Sequence, residues 1–281
     1  MLEEEGYALK IFYLGHKYYG FATQKDKPTI EGTLRKIFRS KICGERIHIT
    51  YASRTDKGVH AIGQTITINV KDVDIDEVNA NLPEDIAIWA YCKAPKHFDA
   101  RRCTIYRHYK YIVFKKDLDL EKMKNASKDL LGIHNFKRFC YKVKGPVIRR
   151  IYYIKIDKIE EGYLAIEFIG SKFARGLIRN LVDLLTRIGS GEISNLSSVW
   201  EYNGPLCMAP PENLYLIDAY YPLKYTISDT GVEKVIKAIN VMSNVKDFDE
   251  GTILKKQMLK DFWKVMNDVR ELGLKLHSTL H

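Results

Sequence analysis

The chain is organised around the stretch Ser53-Arg54-Thr55-Asp56-Lys57-Gly58-Val59-His60-Ala61, which separates two runs of alternating apolar and polar residues. Every second position is apolar over residues 47–51 before it and over residues 66–70 after it. Alternation with a period of two predicts strands that bury one face. Asp56-Lys57-Gly58 has turn chemistry, because Asp bonds its own backbone and Gly supplies a positive φ. We therefore predict a hairpin with an exposed connection.

The side chains of this connection allow two interpretations. A rigid turn can present Arg54 and Asp56 for chemistry, because the strands fix the geometry and the turn exposes the side chains. Equally, Asp-Lys-Gly is an ordinary turn, and the two residues can form a surface ion pair. The local pattern leaves both interpretations open, so the rest of the chain has to decide between them.

The charge of the chain favours an anionic partner. The chain has 281 residues, 46% of them hydrophobic, and a net charge of +10. Residues 225–281 are nearly balanced in charge, so the first 224 residues carry +9 of this excess. A basic body binds a polyanion such as nucleic acid, because neutralising phosphates releases counterions. The alternative is a basic protein whose charge serves only solubility.

The cysteines and the hydropathy predict a cytoplasmic protein without a metal site. The five cysteines are widely spaced and form no C-x-x-C pair, so neither a zinc site nor a thioredoxin motif is expected. Free, buried thiols in a reducing compartment are the simplest interpretation. The N-terminus is too polar for a signal peptide. No apolar run approaches the roughly 18 residues of a membrane span, so we expect no membrane contact.

The order of predicted elements gives an α+β fold. Elements up to residue 92 follow the order β-α-β-β-α-β of the ferredoxin-like split motif. A second α/β half follows, and two amphipathic helices with balanced charge come after it. We predict an N-terminal α/β half over residues 1–104, a C-terminal α/β half over 105–224 and a helical extension over 225–281.

The segment Tyr106–Phe114 alternates aromatic and basic residues and predicts a strand. On such a strand Tyr109 is a candidate platform for stacking a nucleobase, with Arg101 and Lys110 near phosphates. The alternative is a half-buried strand with solvated cations. The pattern therefore indicates an RNA-binding surface without establishing one.

The second half also contains a strong amphipathic helix. Its apolar stripe is predicted over Phe173–Ile188, and Arg179 lies near its start in a basic line that includes Arg175. Alternatively, Arg179 pairs with Asp183 four residues further on. Upstream of this helix, Gly132–Phe136 is predicted as a turn.

An ordered set of motifs resembles one enzyme family. The string Ser53–Ala61 resembles the signature of TruA-type tRNA pseudouridine synthases. The other matching motifs are Tyr13-Leu14-Gly15, Pro28-Thr29-Ile30-Glu31-Gly32, Asn81-Leu82-Pro83-Glu84-Asp85-Ile86, Phe98-Asp99-Ala100-Arg101, Tyr109-Lys110-Tyr111, Gly132-Ile133-His134-Asn135-Phe136, Ile178-Arg179-Asn180 and Ala209-Pro210-Pro211. The resemblance covers about residues 7–222 and departs from the family at Asp99, where His is usual.

This resemblance implies an isomerase that converts uridine to pseudouridine in tRNA without a cofactor or a metal ion. By the same resemblance, Asp56 is the catalytic carboxylate, and Tyr109 stacks on the uracil. Arg179 pairs with Asp56 and keeps it charged. The family's arginine at the position of Arg54 is implicated in extruding the target nucleotide.

The resemblance also implies a particular architecture and substrate. It implies two ferredoxin/RRM-like α/β halves with antiparallel sheets joined around a central cleft, and often a homodimer. The implied partner is the anticodon stem-loop of tRNA, modified at positions 38, 39 and 40. With the pattern-based expectations, this makes Arg54, Arg101, Lys110 and Tyr109 the predicted substrate-binding residues.

A non-catalytic RNA-binding protein is the competing class. A basic surface with tyrosines on split β-α-β units can bind RNA without chemistry. A pure binder gains nothing from a carboxylate that faces phosphates, so Asp56 favours an enzyme. A metal-dependent nuclease needs clustered carboxylates, and the RNA-facing stretches contain only isolated ones.

Overall fold

A computed structural model describes residues 4–41, 47–95, 97–194, 197–242 and 248–278 of the chain. It divides into two compact units, one formed by Met1–Ile105 with Leu216–His281 and the other by Tyr106–Tyr215. Both units combine helices with largely antiparallel strands, which confirms the predicted α+β class.

The secondary structure follows the predicted alternation of strands and helices. The strands are β1 (Glu4–Tyr13), β2 (Ile49–Tyr51), β3 (His60–Ile68), β4 (Ile86–Pro95), β5 (Tyr106–Val113), β6 (Gly132–Asn135), β7 (Ile148–Lys158), β8 (Leu164–Gly170), β9 (Leu214–Tyr220) and β10 (Thr226–Ile227). The helices are α1 (Ile30–Lys41), α2 (Ile75–Asn81), α3 (Ala100–Cys103), α4 (Leu120–Lys128), α5 (Leu177–Gly189), α6 (Asp229–Val241) and α7 (Phe248–Ser278).

The sheet of the first unit has the strand order β10-β4-β1-β3-β9, with β2 also pairing β3. β1 lies antiparallel to both β3 and β4, so the predicted β-α-β-β-α-β order is confirmed. β2 and β3 form the antiparallel pair predicted on either side of the organising stretch, with Ile49 opposite Ile68. This pairing fixes where the connection between them begins and ends.

The helices of the first half begin where their sequences supply caps. The hydroxyl of Thr29 accepts a hydrogen bond from Gly32 N at 3.2 Å at the start of α1. Asp74 caps α2 in the same way through Glu77 N at 2.9 Å. Along α1 the residues Ile30, Leu34 and Phe38 are fully buried, as the helical spacing predicts.

The two helices after residue 225 pack against the first unit. Phe262 of α7 contacts Trp89 of β4 edge-to-face, with ring centroids 5.6 Å apart. Lys234 of α6 donates to the carbonyls of Asn79 and Leu82 at the end of α2, at 2.5 and 2.6 Å. These contacts satisfy helix-terminal carbonyls and bury the apolar faces of both helices.

The sheet of the second unit has the strand order β5-β8-β7-β6, and its neighbouring strands are antiparallel. Phe168 of β8 lies opposite Tyr109 of β5 and opposite Ile154 of β7. The central strand β8 is therefore paired along both of its edges, with β5 on one side and β7 on the other.

Two predictions about the second unit are wrong. Gly132–Phe136 does not form an isolated turn, because residues 132–135 pair with Ile148–Ile151 as strand β6. The helix predicted from Phe173 begins only at Leu177, so Phe173 and Arg175 precede it. Gly176 with φ +75° accounts for this start, since a left-handed residue interrupts the right-handed helical path.

The cysteines correct a further expectation. Among the described residues, Cys92, Cys103, Cys140 and Cys207 form no disulfide bond. Cys103 and Cys207 are exposed, and Cys92 and Cys140 are half-buried, so the predicted burial is wrong for all four; Cys43 lies outside the described residues. Within the described ranges, no helix is both long enough and apolar enough to cross a lipid bilayer.

Candidate active site

The backbone around Asp56 is held by a buried glutamine of the neighbouring strand. Gln64 of β3 is fully buried, and its amide accepts from Ser53 N at 3.1 Å and donates to Ser53 O at 2.6 Å. Its Nε2 also lies 3.4 Å from the hydroxyl of Tyr13. One side chain thus satisfies both backbone groups of Ser53 and fixes the start of the connection.

The next residues of the connection are fixed by β1 and the loop that follows it. The hydroxyls of Thr55 and Tyr13 lie 2.7 Å apart, and Phe21 N donates to Thr55 O at 3.1 Å. Gly20, with φ +93°, lies so close that a Cβ there would be 2.8 Å from Thr55 O. Only glycine fits this close approach, because a side chain would displace the backbone of the connection.

The predicted turn at residues 56–58 is confirmed. Gly58 has φ +85°, and Val59 N donates to Asp56 O at 3.3 Å. In contrast to this fixed backbone, the side chain of Arg54 is exposed and that of Asp56 is half-buried. The first unit therefore presents an arginine and a carboxylate from a connection whose backbone is tied at several points.

A cation–aromatic cluster lies beside this connection. The ammonium groups of Lys57 and Lys27 lie 4.4 and 4.9 Å from the ring centroid of Tyr19, which is 39% exposed. Neither Tyr19 nor Gln64 is among the residues predicted to belong to the site. For Gln64 a signal existed, because it is a polar residue on the apolar face of the strand, in step with Ile62 and Ile66.

Tyr109 lies in the second unit with its ring fixed by packing. The residue is 4% exposed, and its ring meets that of Phe173 edge-to-face with centroids 5.5 Å apart. An edge-to-face pair of this kind is worth about 0.5–1.5 kcal/mol beyond area burial. Phe173, although outside the helix, therefore orients the predicted stacking residue.

Arg179 is held by the segment that precedes β9. Its Nε donates to Ala209 O at 2.5 Å, and Ala209 N donates to Arg179 O at 3.2 Å. The alternative partner Asp183 instead accepts from Cys207 N at 3.0 Å and lies 3.9 Å from Arg187. The side chain of Arg179 is thus positioned through a backbone carbonyl.

Burial raises the pKa of Tyr111, which lies beside Tyr109 on β5, far above its usual value. A hydrogen bond with Asn213 and the positive charge of Arg179 oppose this shift but do not cancel it. Tyr111 therefore stays a neutral phenol near Arg179 across the ordinary pH range.

Lys110 is buried and lies in an ion cluster with two half-buried residues, His108 and Glu167. Its Nζ is 3.1 Å from Glu167, which also lies 2.8 Å from Nε2 of His108. Burial alone raises the pKa of Glu167, but the hydrogen bond of His108 and the charge of Lys110 outweigh it and lower this pKa to about 2. Lys110 is 5% exposed, which differs from the solvated position typical of a phosphate-binding lysine.

Arg101 is placed by a short capped helix. Asp99 accepts from the backbone N of Arg101 and Arg102 at 2.8 and 2.9 Å, and thereby caps α3. The side chain of Arg101 is exposed. The residue that departs from the family's usual histidine therefore has a clear structural role as a helix cap.

The predicted site residues belong to both units. Arg54, Asp56 and Arg101 lie in the first unit. Tyr109, Lys110 and Arg179 lie in the second, where Tyr109 and Lys110 are neighbours on β5. Among the described residues, no group of three or more His, Cys, Asp or Glu side chains is arranged to hold a metal ion.

A basic α+β protein with an arginine and a carboxylate on a fixed connection is consistent with an enzyme that acts on RNA. A family model described as tRNA pseudouridine synthase matches residues 11–99 and 126–222. The chain is also similar to proteins named tRNA pseudouridine synthase A from three archaea. Identity is 32% over 226 residues for Methanosarcina acetivorans, covering 76% of this chain and 84% of that protein.

The protein from Methanothrix thermoacetophila is 34% identical over 230 residues, covering 76% of this chain and 82% of that protein. The protein from Archaeoglobus fulgidus is 32% identical over 232 residues, covering 79% of this chain and 86% of that protein. The chain belongs to the tRNA pseudouridine synthase family. The resemblance drawn from the motifs is confirmed, and the chain is an isomerase of the TruA family rather than a non-catalytic RNA-binding protein.

Proposed function

We propose that this enzyme isomerises uridines in the anticodon arm of tRNA, at positions 38, 39 and 40, with Asp56 as the catalytic carboxylate. The observation that carries the proposal is the fixed connection around Asp56. Its backbone is bound through Ser53 and Thr55, while the carboxylate stays half-buried. A carboxylate on a preorganised loop reacts without paying for reorganisation at the moment of the reaction.

The reaction moves the base without net change in composition. The bond between ribose C1′ and uracil N1 breaks, the uracil turns, and a bond from C1′ to C5 forms. The proton on C5 goes to solvent and N1 gains one. The ionised Asp56 can enter this sequence in one of three ways, by attacking C6 of uracil, by attacking C1′, or by removing the 2′ proton.

Three further residues have proposed roles at the same uridine. Tyr109 stacks on the displaced uracil and assists removal of the C5 proton. The packing of its ring against that of Phe173, with centroids 5.5 Å apart, supports this role because it fixes the orientation of the ring. Arg179 is proposed to pair with the Asp56 carboxylate. The hydrogen bond from its Nε to Ala209 O supports this role, because it positions the side chain. Contacts of this kind favour accurate placement of the two side chains at the uridine, because a side chain held by its neighbours needs no ordering when the substrate binds.

The remaining roles concern the RNA. Arg54 is proposed to extrude the target nucleotide, which costs a few kcal/mol for a base in a stem. Arg101 is proposed to bind a phosphate, since its side chain is exposed on a capped helix. Lys110 was expected to bind phosphate too, but with Glu167 at 3.1 Å we propose that it acts by ordering the strand of Tyr109.

We also propose that the enzyme is a cytoplasmic homodimer. The basic charge suits a substrate that is abundant in the cytoplasm, and free cysteines suit a reducing compartment. Light scattering at micromolar concentration is expected to give twice the chain mass. A monomer mass across that range would contradict the dimer.

The proposal is tested by mapping pseudouridine on an unmodified tRNA transcript after treatment with a carbodiimide, which marks pseudouridine and stops reverse transcription. We expect stops at positions 38–40 with the wild-type enzyme and none with Asp56→Asn. A matched control is Asp99→Asn, which keeps a capping side chain on another exposed loop and should leave the stops unchanged. Stops elsewhere in the tRNA refute the anticodon assignment, and stops with Asp56→Asn refute the role of Asp56.

A further inference from the structure

A cavity that the proposed function does not use lies in the unit formed by residues 106–215. Its volume is about 450 Å³, within the range of pockets that hold a small ligand. Its lining residues come from the segment after β6, from α5 and from the loop before β9. They are Arg138, Cys140, Tyr141, Lys142, Asn180, Tyr202, Asn203, Gly204, Pro205, Leu206 and Met208.

The lining of this cavity is positively charged. It includes Arg138 and Lys142, and none of the described lining residues is Asp or Glu. The guanidinium of Arg138 donates to two neutral acceptors, Trp200 O at 2.6 Å and Asn203 Oδ1 at 2.8 Å, so its charge is not neutralised there. Lys142 lies 5.2 Å from the ring centroid of Tyr141, again without an acidic partner among the described residues. Such a lining favours an anion.

One buried oxygen of the lining has no hydrogen-bond donor among the described residues. Asn180 is 6% exposed, and its Nδ2 donates to Phe139 O at 3.0 Å. Its Oδ1 is buried and, among the described residues, accepts no hydrogen bond. A buried acceptor left unpaired costs about 1–3 kcal/mol, which a ligand that supplies an N–H or O–H donor can recover. The cavity thus has two cations that can bind an anionic group and one oxygen that can accept a hydrogen bond from the same ligand.

The walls of the cavity are preformed. The hydroxyl of Tyr202 donates to Pro205 O at 2.9 Å and accepts from Arg187 at 2.8 Å. At Gly176 a Cβ would lie 2.8 Å from Met208 Sδ and 3.0 Å from Tyr141 Cβ, so the two walls meet closely there. A cavity with fixed walls loses little conformational entropy when it binds a ligand.

We propose that this cavity binds one nucleotide of the tRNA substrate, with its phosphate at Arg138 and Lys142 and a base N–H or the ribose 2′-hydroxyl donating to Asn180. A nucleotide is the ligand that carries both groups at once, and the tRNA is the anion that this enzyme meets. The inference rests on the tRNA substrate and is independent of the catalytic role of Asp56.

The first test compares Lys142→Gln with Lys144→Gln in binding an unmodified tRNA transcript. Both lysines are exposed, but only Lys142 lines the cavity. Losing one phosphate contact should reduce the slope of log K against log salt concentration by about 1, and weaken binding about fivefold at 0.15 M salt. Lys144→Gln should keep the wild-type slope. An unchanged slope for Lys142→Gln, or an equal change in both variants, overturns the proposal.

The second test uses lysine acetylation followed by mass spectrometry, on Asp56→Asn protein so that binding is read without turnover. Bound tRNA should slow acetylation of Lys142 at least several-fold and leave Lys144 unaffected. Uridine 5′-monophosphate at millimolar concentration is the comparison probe. Protection by the monophosphate but not by tRNA identifies a site for free nucleotides and overturns the proposal, as does no protection by tRNA. Because neither readout needs catalysis, failure here leaves the role of Asp56 untouched.

Discussion

Replacing Gln64 with methionine should uncouple the Asp56 connection from the sheet that holds it. Methionine matches the length of glutamine and is apolar, so it fills the same buried space but cannot bond to Ser53. Two hydrogen bonds to Ser53, at 3.1 and 2.6 Å, are lost. With about 1 kcal/mol for each bond, and more where the freed groups stay buried, we expect a loss of about 2–4 kcal/mol in the free energy of unfolding.

Activity should fall beyond what this loss of stability explains. A looser connection misplaces the carboxylate, so we expect kcat to fall about 10- to 100-fold with little change in KM for tRNA. The assay is steady-state pseudouridine formation at a temperature where urea titration shows the variant to be folded. Thr65→Val is the matched control, because Thr65 is the next residue of β3 and its hydroxyl bonds Ala219 O at 3.4 Å, not the connection. Wild-type kcat in Gln64→Met, or an equal fall in Thr65→Val, would refute the reasoning.

Two further predictions concern stability. Gly20→Ala should lower the melting temperature more than Gly145→Ala, because both glycines have positive φ but only Gly20 lies against Thr55 O; equal shifts would contradict this. For Glu167 the folded pKa of about 2 lies below the usual 4.5, so its contribution of about 3 kcal/mol is present above pH 5 and lost as the pH falls toward 2. Urea titrations should therefore show the stability gap between wild type and Glu167→Gln narrowing by about that amount from pH 7 to pH 2, and a constant gap would contradict the pairing with Lys110.

Local patterns were sufficient wherever the structure depends on local chemistry. The period-two runs predicted β2 and β3, and the glycine of Asp56-Lys57-Gly58 predicted a positive φ. These features depend on neighbours in sequence, which the sequence displays directly.

Predictions failed where a partner distant in sequence decides the structure. Residues 132–135 have turn composition, yet they form β6 because Ile148–Ile151 offers a strand to pair with. Lys110 alternates like a solvated cation, yet it is buried, and the half-buried Glu167 lies across from it on β8. The start of α5 was missed for a local reason instead. The apolar period continues through Phe173, whereas the left-handed backbone at Gly176 interrupts the helix.

The most direct measurement of the central claim is tritium release from tRNA labelled at uracil C5, under single-turnover conditions with enzyme in excess. If the carboxylate of Asp56 drives replacement of the C1′–N1 bond by a C1′–C5 bond, wild-type enzyme releases tritium from the modified uridines to solvent. Asp56→Asn should then release none above background while binding the tRNA with unchanged affinity. Release at the same rate by both proteins would contradict the claim.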